Sequence, residues 1–127
     1  MRRKWIGSAA LLALLVAGCG EPKPTLTPVR GRVFFHGAPV AGGVIVFTPD
    51  LEHGNRGPQA CARIGDDGAY VLSTGTDLGA IPGWHRVTFG NAASKTLLPP
   101  RYSDPDQSDQ AREVKAALDN DIDFRLE

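Results

Sequence analysis

The clearest fold signal in the chain lies at residues 60–72, which read ACARIGDDGAYVL. Apolar residues alternate with others up to Ile64, as expected for a strand that buries one face. Tyr70 and Leu72 resume this alternation after the Asp67-Gly68 pair. Because Asp-Gly between two alternating runs is the strongest short-range hairpin signal, the sequence predicts a β-hairpin that turns at Asp67-Gly68. The apolar positions predicted to face the core before the turn are Ala60, Ala62 and Ile64.

The same alternation recurs on both sides of this hairpin. Strands are predicted from Val29 to Phe35, from Val44 to Phe47, from Trp84 to Phe89 and from Asp121 to Leu126. The 15 Gly and 10 Pro lie largely between these runs, which indicates many turns and few helices. Six or seven short strands at this spacing are typical of an all-β chain folded as a β-sandwich.

Alternation also predicts which side chains face the core. His85, Val87 and Phe89 share one phase, and so do Ile122, Phe124 and Leu126. In the last strand the alternate positions are charged: they are Asp121, Asp123 and Arg125. Outward charges of this kind are common on edge strands, where they discourage pairing with other chains.

Two segments are harder to interpret. The run Val44–Phe47 is continuously apolar, which suits a strand covered on both faces or one beside an exposed patch. Residues 111–118 read AREVKAAL, a composition that favours helix by propensity alone.

The N-terminal segment has the layout of a secretory signal. Arg2, Arg3 and Lys4 precede an apolar run from Trp5 to Ala17. A run of that length is too short to span a bilayer, which needs roughly 20 apolar residues, but it fits a signal peptide with small residues at its cleavage site. We therefore expect residues 1–18 to be a signal peptide.

The end of this segment, Val16-Ala17-Gly18-Cys19, resembles the lipobox of bacterial lipoproteins. That resemblance implies cleavage before Cys19, a diacylglycerol on its thiol and, usually, a further acyl chain such as palmitate on its amine. The ordinary alternative is a signal peptide that happens to have a Cys nearby. Gly20 replaces the Asp that marks inner-membrane retention in enteric bacteria, so the resemblance implies an outer-membrane lipoprotein.

Residues 19–28 are predicted to connect the lipid to the domain. Three Pro residues between Glu21 and Pro28 favour an extended polyproline conformation. At about 3.1 Å per residue, such a tether reaches up to roughly 28 Å. The alternative is a docking motif for a proline-reading partner.

Composition limits the function classes. The chain has 14 Lys and Arg against 14 Asp and Glu, and loss of the three basic residues in the signal peptide leaves a slight acidic excess. We therefore expect no nucleic-acid partner. If Cys19 is acylated, Cys61 has no partner for an intrachain disulfide.

From residue 29 onward, an ordered set of short motifs resembles one family. The motifs are Gly31-x-Val33, Gly37-x-Pro39-Val40, Ile45-x-Phe47-x-Pro49, Asp67-Gly68-x-Tyr70-x-Leu72, Gly79-Ala80-Ile81-Pro82-Gly83, Leu98-Pro99-x-x-Tyr102 and Asn120-x-x-x-Phe124-x-Leu126. They are similar to small bacterial lipoproteins with a carboxypeptidase-regulatory-like, transthyretin-like domain, which implies a β-sandwich over residues 29–127 and a strand at residues 112–117. Gly65 and His85 depart from the residues common in that family. The resemblance supplies no catalytic residues.

The sequence offers few candidates for metal binding or catalysis. His36, His53 and His85 lack the close spacing of a local ligand pair, and Asp66-Asp67-Gly68 lacks the further acids of a calcium loop. Asp104, Asp106 and Asp109 are interpreted as a solvated loop, with weak binding of a hard cation as the alternative. No Ser lies in a Gly-x-Ser-x-Gly context. We therefore expect no metal, no cofactor and no enzymatic activity.

Two side chains remain as candidates for surface chemistry. Cys61 lies opposite the core phase, so a reactive thiol is one interpretation and a small strand residue is the other. Trp84 shares its phase with Arg86 and Thr88, so it is either a ligand contact that stacks on a sugar or a residue packed under a loop.

These observations lead to one principal hypothesis and several alternatives. The principal one is a non-enzymatic lipoprotein, held at the membrane through Cys19, that recognises or supports a protein or glycan of the cell envelope. The alternatives are a carbohydrate-binding module centred on Trp84, an accessory domain that docks into a larger complex through Val44–Phe47, and a metal-dependent enzyme that uses the histidines.

Overall fold

A computed structural model describes residues 23–127, and the predicted signal peptide and Cys19 lie outside that range. The described chain is all-β, with two sheets packed face to face and two short 3-10 turns at Leu51–His53 and Pro100–Ser103. Seven of its strands have three or more residues, as the sequence predicts. The strands are β1 Val29–Phe35, β2 Ala38–Pro39, β3 Val44–Pro49, β4 Ala60–Arg63, β5 Ala69–Val71, β6 Ser73–Thr74, β7 Asp77–Leu78, β8 Gly83–Gly90, β9 Ala111–Val114, β10 Asn120–Asp121 and β11 Phe124–Leu126.

The smaller sheet is built around β1. Strands β10 and β11 pair with β1 in parallel and keep one register, since Val29 lies opposite Asn120 and Val33 opposite Phe124. Strands β5 and β2 pair with β1 in antiparallel fashion on its other side. The C-terminal strand therefore forms an edge of this sheet, which agrees with its outward charges.

The larger sheet is antiparallel throughout and has the order β7-β6-β4-β3-β8-β9. Strand β3 is central, and its residues alternate rather than being covered on both faces. Ile45 and Phe47 are fully buried, whereas Val44 and Val46 are half-buried. The apolar run thus belongs to a one-sided strand whose outer face is partly shielded.

The predicted hairpin at Asp67-Gly68 is wrong, although the turn itself forms. The Gly68 N–H donates to the carbonyl of Gly65 at 2.9 Å, and Gly68 adopts a φ of 82°. Strands β4 and β5 on either side of it, however, lie in different sheets, because β5 pairs with β1. The Val33 N–H donates to the Gly68 carbonyl at 2.9 Å, so the chain begins to pair with β1 at the turn itself. Alternation predicts the strands and their buried faces, but it does not specify the partner strand.

Aromatic rings fill the space between the sheets. Phe124 packs edge-on against Phe89 and Phe47, with ring centroids 5.3 and 6.0 Å apart. Tyr70 is also buried, and its hydroxyl donates to the carbonyl of Ile122 at 2.5 Å. Because buried hydroxyls need a partner, this bond fixes the position of the C-terminal strand against β5. The predicted core phases of all these strands are confirmed.

Residues 111–118 illustrate how tertiary contacts override local propensity. Ala111–Val114 forms strand β9 at the edge of the larger sheet, paired with Gly83–Arg86 of β8. The buried Val114 ends the strand, three residues earlier than the predicted 112–117, and the following residues are exposed. Pairing and burial of Val114 outweigh helix preferences that amount to a few tenths of a kcal/mol per residue.

Candidate functional site

The chain enters the sandwich at Thr27. The Thr27 N–H donates to the carbonyl of Ala80 at 2.8 Å, and the Ala80 N–H returns a bond at 3.0 Å. The carbonyl of Pro28 accepts the N–H of Asn120 at 3.0 Å. These bonds place Thr27 and Pro28 within the fold, two residues before the predicted start at residue 29. We call the part of the sandwich around Thr27, Ala80 and Asn120 the tether end.

Asn120 holds this end together. Its buried side-chain amide donates to the carbonyls of Lys115 and Leu118, each at 3.0 Å, and to that of Pro28 at 3.3 Å. Its side-chain oxygen accepts the Lys115 N–H at 2.9 Å. One side chain thus closes the 115–120 turn and joins it to the segment that enters the fold. The motif-based resemblance includes Asn120 but assigns it no such role.

The tether end also presents apolar side chains to solvent. Leu78, Val71 and Leu118 are 75%, 58% and 57% exposed. Val71 and Leu78 line a groove of about 210 Å³ that also includes Pro28 and Asp119. Leu118 lies on a second groove of about 500 Å³, which shares Pro28 and Asp119 with the first. The two grooves therefore form one continuous surface around the entering chain.

Trp84 lies in a separate, polar cluster on the larger sheet. Its side chain is 37% exposed, and the ring of His53 stacks on it with centroids 5.2 Å apart. The 3-10 turn Leu51–His53 supplies this histidine, so one face of the indole is covered by a loop. Of the two sequence interpretations for Trp84, loop packing therefore applies to one face, and the remainder of the side chain is partly exposed.

A buried carboxylate orients His53. Asp50 is almost fully buried, and its Oδ2 lies 2.6 Å from His53 Nδ1. Its Oδ1 accepts the Glu52 N–H and lies 3.4 Å from Arg86 Nε. The His53 hydrogen bond, together with Arg86, holds the pKa of the Asp50 carboxyl below its usual range. An ionised Asp50 fixes the imidazole with its other nitrogen directed away from the carboxylate.

Arg86 ties this cluster to two further acids. Its guanidinium lies 2.8 Å from Glu52 and 2.9 Å from Asp106. Asp50 and Glu52 raise the pKa of Arg86, so the side chain remains a cation. The cluster therefore orients an imidazole and an indole beside a cation and three carboxylates.

The three histidines do not converge. His85 is buried in the core, where its Nδ1–H donates to the carbonyl of Gly83 at 2.9 Å and its Nε2 has no protein partner. His36 is exposed and stacks on Phe35 with centroids 4.0 Å apart. In the part of the chain that the structure describes, no three His, Cys, Asp or Glu side chains are placed to hold a metal ion.

The remaining candidates are surface residues. Cys61 is exposed, with a free thiol, opposite Val46 on one side and Ser73 on the other. Asp104 accepts the N–H of Asp106 at 2.8 Å, and Asp67 accepts that of Ala69 at 3.0 Å. Both carboxylates thus act in local turns. The sequence did not predict the Asp50–Arg86 ion pair, because the two residues lie 36 positions apart. The one available signal was the position of Arg86 on the outward face of its strand.

Comparison of the chain with protein-family models, with curated protein sequences and with solved structures gives no match. The resemblance to transthyretin-like lipoproteins therefore remains a prediction. Among residues 23–127 there is no helix with the length and apolar character that a membrane crossing requires.

Proposed function

We propose that this chain is a non-enzymatic bacterial lipoprotein, in which an acylated Cys19 anchors a β-sandwich to the cell envelope. The observation that carries the proposal is where the fold begins. The first backbone pairing of the described chain is at Thr27, so seven residues lie between Cys19 and the sandwich. At about 3.1 Å per residue, the eight steps from Cys19 to Thr27 span up to roughly 25 Å, which is enough to clear the lipid headgroups.

The chemistry of the anchor supports this arrangement. Each buried methylene contributes about 0.8 kcal/mol to membrane binding, so one acyl chain binds reversibly and two or more hold firmly. The basic residues 2–4, the apolar run and the small residues before Cys19 supply every part of a lipoprotein signal. Gly20 favours the outer membrane as the destination.

Mass spectrometry of the mature N-terminus tests the anchor directly. We expect a chain that starts at Cys19 and carries the added mass of a diacylglycerol and a further acyl group. Replacement of Cys19 by Ser should release the protein from washed envelopes into the soluble fraction. A Cys61→Ser variant is the matched control, because it removes a free thiol that lies in the sandwich and away from the anchor. Retention of Cys19→Ser in envelopes at the level of the parent would overturn the proposal.

A second candidate function, glycan binding, is favoured by the cluster around Trp84. An indole beside an oriented imidazole, with Arg86 and the amide of Asn55 close by, offers a stacking face and planar hydrogen-bonding groups. The Asn55 side chain donates to the Trp84 carbonyl at 2.8 Å, which steadies this surface.

Titration of the Trp84 fluorescence with envelope polysaccharides tests this candidate. The signal is specific because Trp5 is lost with the predicted signal peptide, which leaves Trp84 as the one indole. We expect a saturable shift that Arg86→Ala weakens and Arg63→Ala, an exposed arginine on β4, leaves unchanged. No shift at millimolar sugar would exclude glycan binding at Trp84 and leave the anchored domain as the proposal.

A further inference from the structure

The exposed apolar side chains of the sandwich are unevenly distributed. Six large ones are exposed among residues 23–127, and three of them belong to the tether end: Val71, Leu78 and Leu118. Together with Leu26 and Pro28 they line the two grooves that meet at Asp119. Contiguous exposed apolar surface of this kind marks a contact with another molecule or with lipid.

The position of the tether favours lipid over another molecule. Lys23 lies 3.8 Å from Asp77, the residue before Leu78. Three residues lie between Lys23 and Cys19, so the two are at most about 13 Å apart along an extended chain. An acyl anchor on Cys19 would thus enter the bilayer close to the β6–β7 hairpin that carries Leu78.

The opposite end of the sandwich cannot reach the lipid as readily. Strand β8 runs from Gly83, near the tether end, to Gly90, near the loop that carries Leu97. Its eight residues span roughly 25 Å at about 3.3 Å each. To bring Leu97 to the surface the domain would have to turn over, with the tether extended along its full length.

We propose that the tether end, through Val71, Leu78 and Leu118, docks on the lipid surface and fixes the orientation of the sandwich on the membrane. The proposal rests on the lipid anchor inferred above and adds a second, non-covalent contact to it. Three exposed aliphatic side chains bind lipid weakly by themselves. A short tether converts that contact into an intramolecular one with a high effective concentration, so weak affinity is sufficient.

Docking in this orientation has a consequence for the rest of the surface. The loop at residues 91–97 and the Asp67-Gly68 turn then face away from the membrane. These segments, rather than the tether end, become the part of the molecule that meets envelope partners.

Depth-dependent fluorescence quenching tests the proposal on the full chain. The protein is produced with its natural N-terminus, carries Cys61→Ser, and receives a single new thiol at Thr76→Cys or Ala92→Cys for a bimane label. Both positions are exposed, the first in the β6–β7 turn and the second in the loop at the opposite end. The labelled protein is reconstituted into phosphatidylethanolamine–phosphatidylglycerol vesicles that contain nitroxide-labelled lipid.

We expect quenching at position 76 to exceed that at position 92 by about twofold or more, since contact places the label within the headgroup layer. The double substitution Leu78→Asp, Leu118→Asp should reduce quenching at 76 to the level at 92. Leu97→Asp is the matched control, because Leu97 is 73% exposed and Leu78 is 75% exposed. It should leave quenching at 76 unchanged.

Three results would overturn the docking. One is equal quenching at 76 and 92, and another is quenching at 76 that survives the double substitution. The third is shielding of the label at 76 from iodide in the lipid-free Cys19→Ser protein. Such shielding would mean that a second copy, or another part of the same chain, already covers the tether end. The mass of the same sample separates the two proposals: an unmodified Cys19 overturns the anchor, whereas acylated protein with equal quenching overturns the docking alone.

Discussion

The two ends of the sandwich contain similar asparagine hydrogen bonds but expose different side chains. Each is closed by one asparagine: Asn120 bonds the 115–120 turn, and Asn91 donates to the carbonyl of Leu98 at 3.2 Å and accepts its N–H at 3.1 Å. Around Asn120 the exposed residues include Leu78 and Leu118. At the other end, which we call the far end, Lys95 lies 3.5 Å from Asp66. Among residues 23–127 the tether end exposes Val71, Leu78 and Leu118, whereas the far end exposes one comparable side chain, Leu97. Since an asparagine closes the turn at each end, we attribute this difference to what each end contacts.

The two asparagines differ in what they connect. Asn120 bonds Pro28, 92 positions earlier in the chain. The Asn91–Leu98 bonds join residues only seven positions apart, and other groups connect the far end to distant residues, such as the Lys95 N–H, which donates to the carbonyl of Ala41 at 2.7 Å. Loss of Asn120 should therefore loosen more of the structure than loss of Asn91.

The largest effect is expected from Gly31→Ala, in the half of β1 nearer the tether end. A Cβ at Gly31 would fall on the carbonyl oxygen of Ile122 and close to the ring of Tyr70. Since the obstacle is backbone, β1 and the C-terminal strand must separate, and the free energy of unfolding should drop by about 3 kcal/mol or more. Urea denaturation followed by circular dichroism measures this change.

Gly90→Ala, at the far end of β8, is the control for that substitution. A Cβ there meets nothing within 4 Å, and Gly90 has no left-handed backbone conformation. Its unfolding free energy should change by less than about 1 kcal/mol. Similar losses for the two variants would contradict the close approach of β1 and the C-terminal strand.

The next largest effect compares the two asparagines directly. Asn120→Ala leaves the Lys115 N–H and the carbonyls of Lys115 and Leu118 without this partner, and should cost about 2–3 kcal/mol. Asn91→Ala removes two bonds to one residue and should cost about 1 kcal/mol. Thermal or urea denaturation of both variants gives the comparison. If Asn91→Ala were the more damaging, the view of Asn120 as the more highly connected asparagine would be wrong.

This pair also shows how far the sequence could predict the structure. Alternation located the strands and their buried faces because it depends only on neighbouring residues, as at His85, Val87 and Phe89. It could not reveal that the Asp67-Gly68 turn connects the two sheets. The strand that pairs with β5 is β1, and Gly31 of β1 lies 39 positions before its partner Tyr70. Asn120 and Asn91 look alike in sequence, as polar residues near turns. Their roles depend on which carbonyls the folded backbone brings within reach, and the same is true of Arg86 and Asp50.

A smaller, pH-dependent effect is expected from β8, where His85 lies nearer the tether end and Phe89 nearer the far end. Burial lowers the pKa of His85 below its ordinary 6.5, against a weaker opposite influence from the Gly83 carbonyl. The unfolded state therefore binds more protons than the folded state in acid. The stability contributed by neutral His85 is fully present above pH 6.5 and is lost as the pH falls below that value.

The variant His85→Phe isolates this effect, because the side chain packs against Phe47 at a centroid distance of 5.7 Å and makes one hydrogen bond. We expect the midpoint of urea unfolding of the parent to fall between pH 7.5 and 5, and that of the variant to fall less. His36→Phe, at an exposed position, is the control and should keep the parent's slope. Parallel pH profiles for the parent and His85→Phe would show that burial does not keep His85 neutral.

The smallest effect on stability is expected from the exposed leucines of the two ends. Leu78→Asp, Leu118→Asp and Leu97→Asp each alter a side chain that is more than half exposed, so each should change the free energy of unfolding by less than about 0.5 kcal/mol in solution. Urea denaturation of the lipid-free Cys19→Ser form measures all three under the same conditions. A loss above about 1 kcal/mol for Leu78→Asp or Leu118→Asp alone would mean that these leucines pack within the fold. If all three changes are equally small, folding gives no reason for the larger number of exposed leucines at the tether end, and that result supports the membrane contact proposed for it.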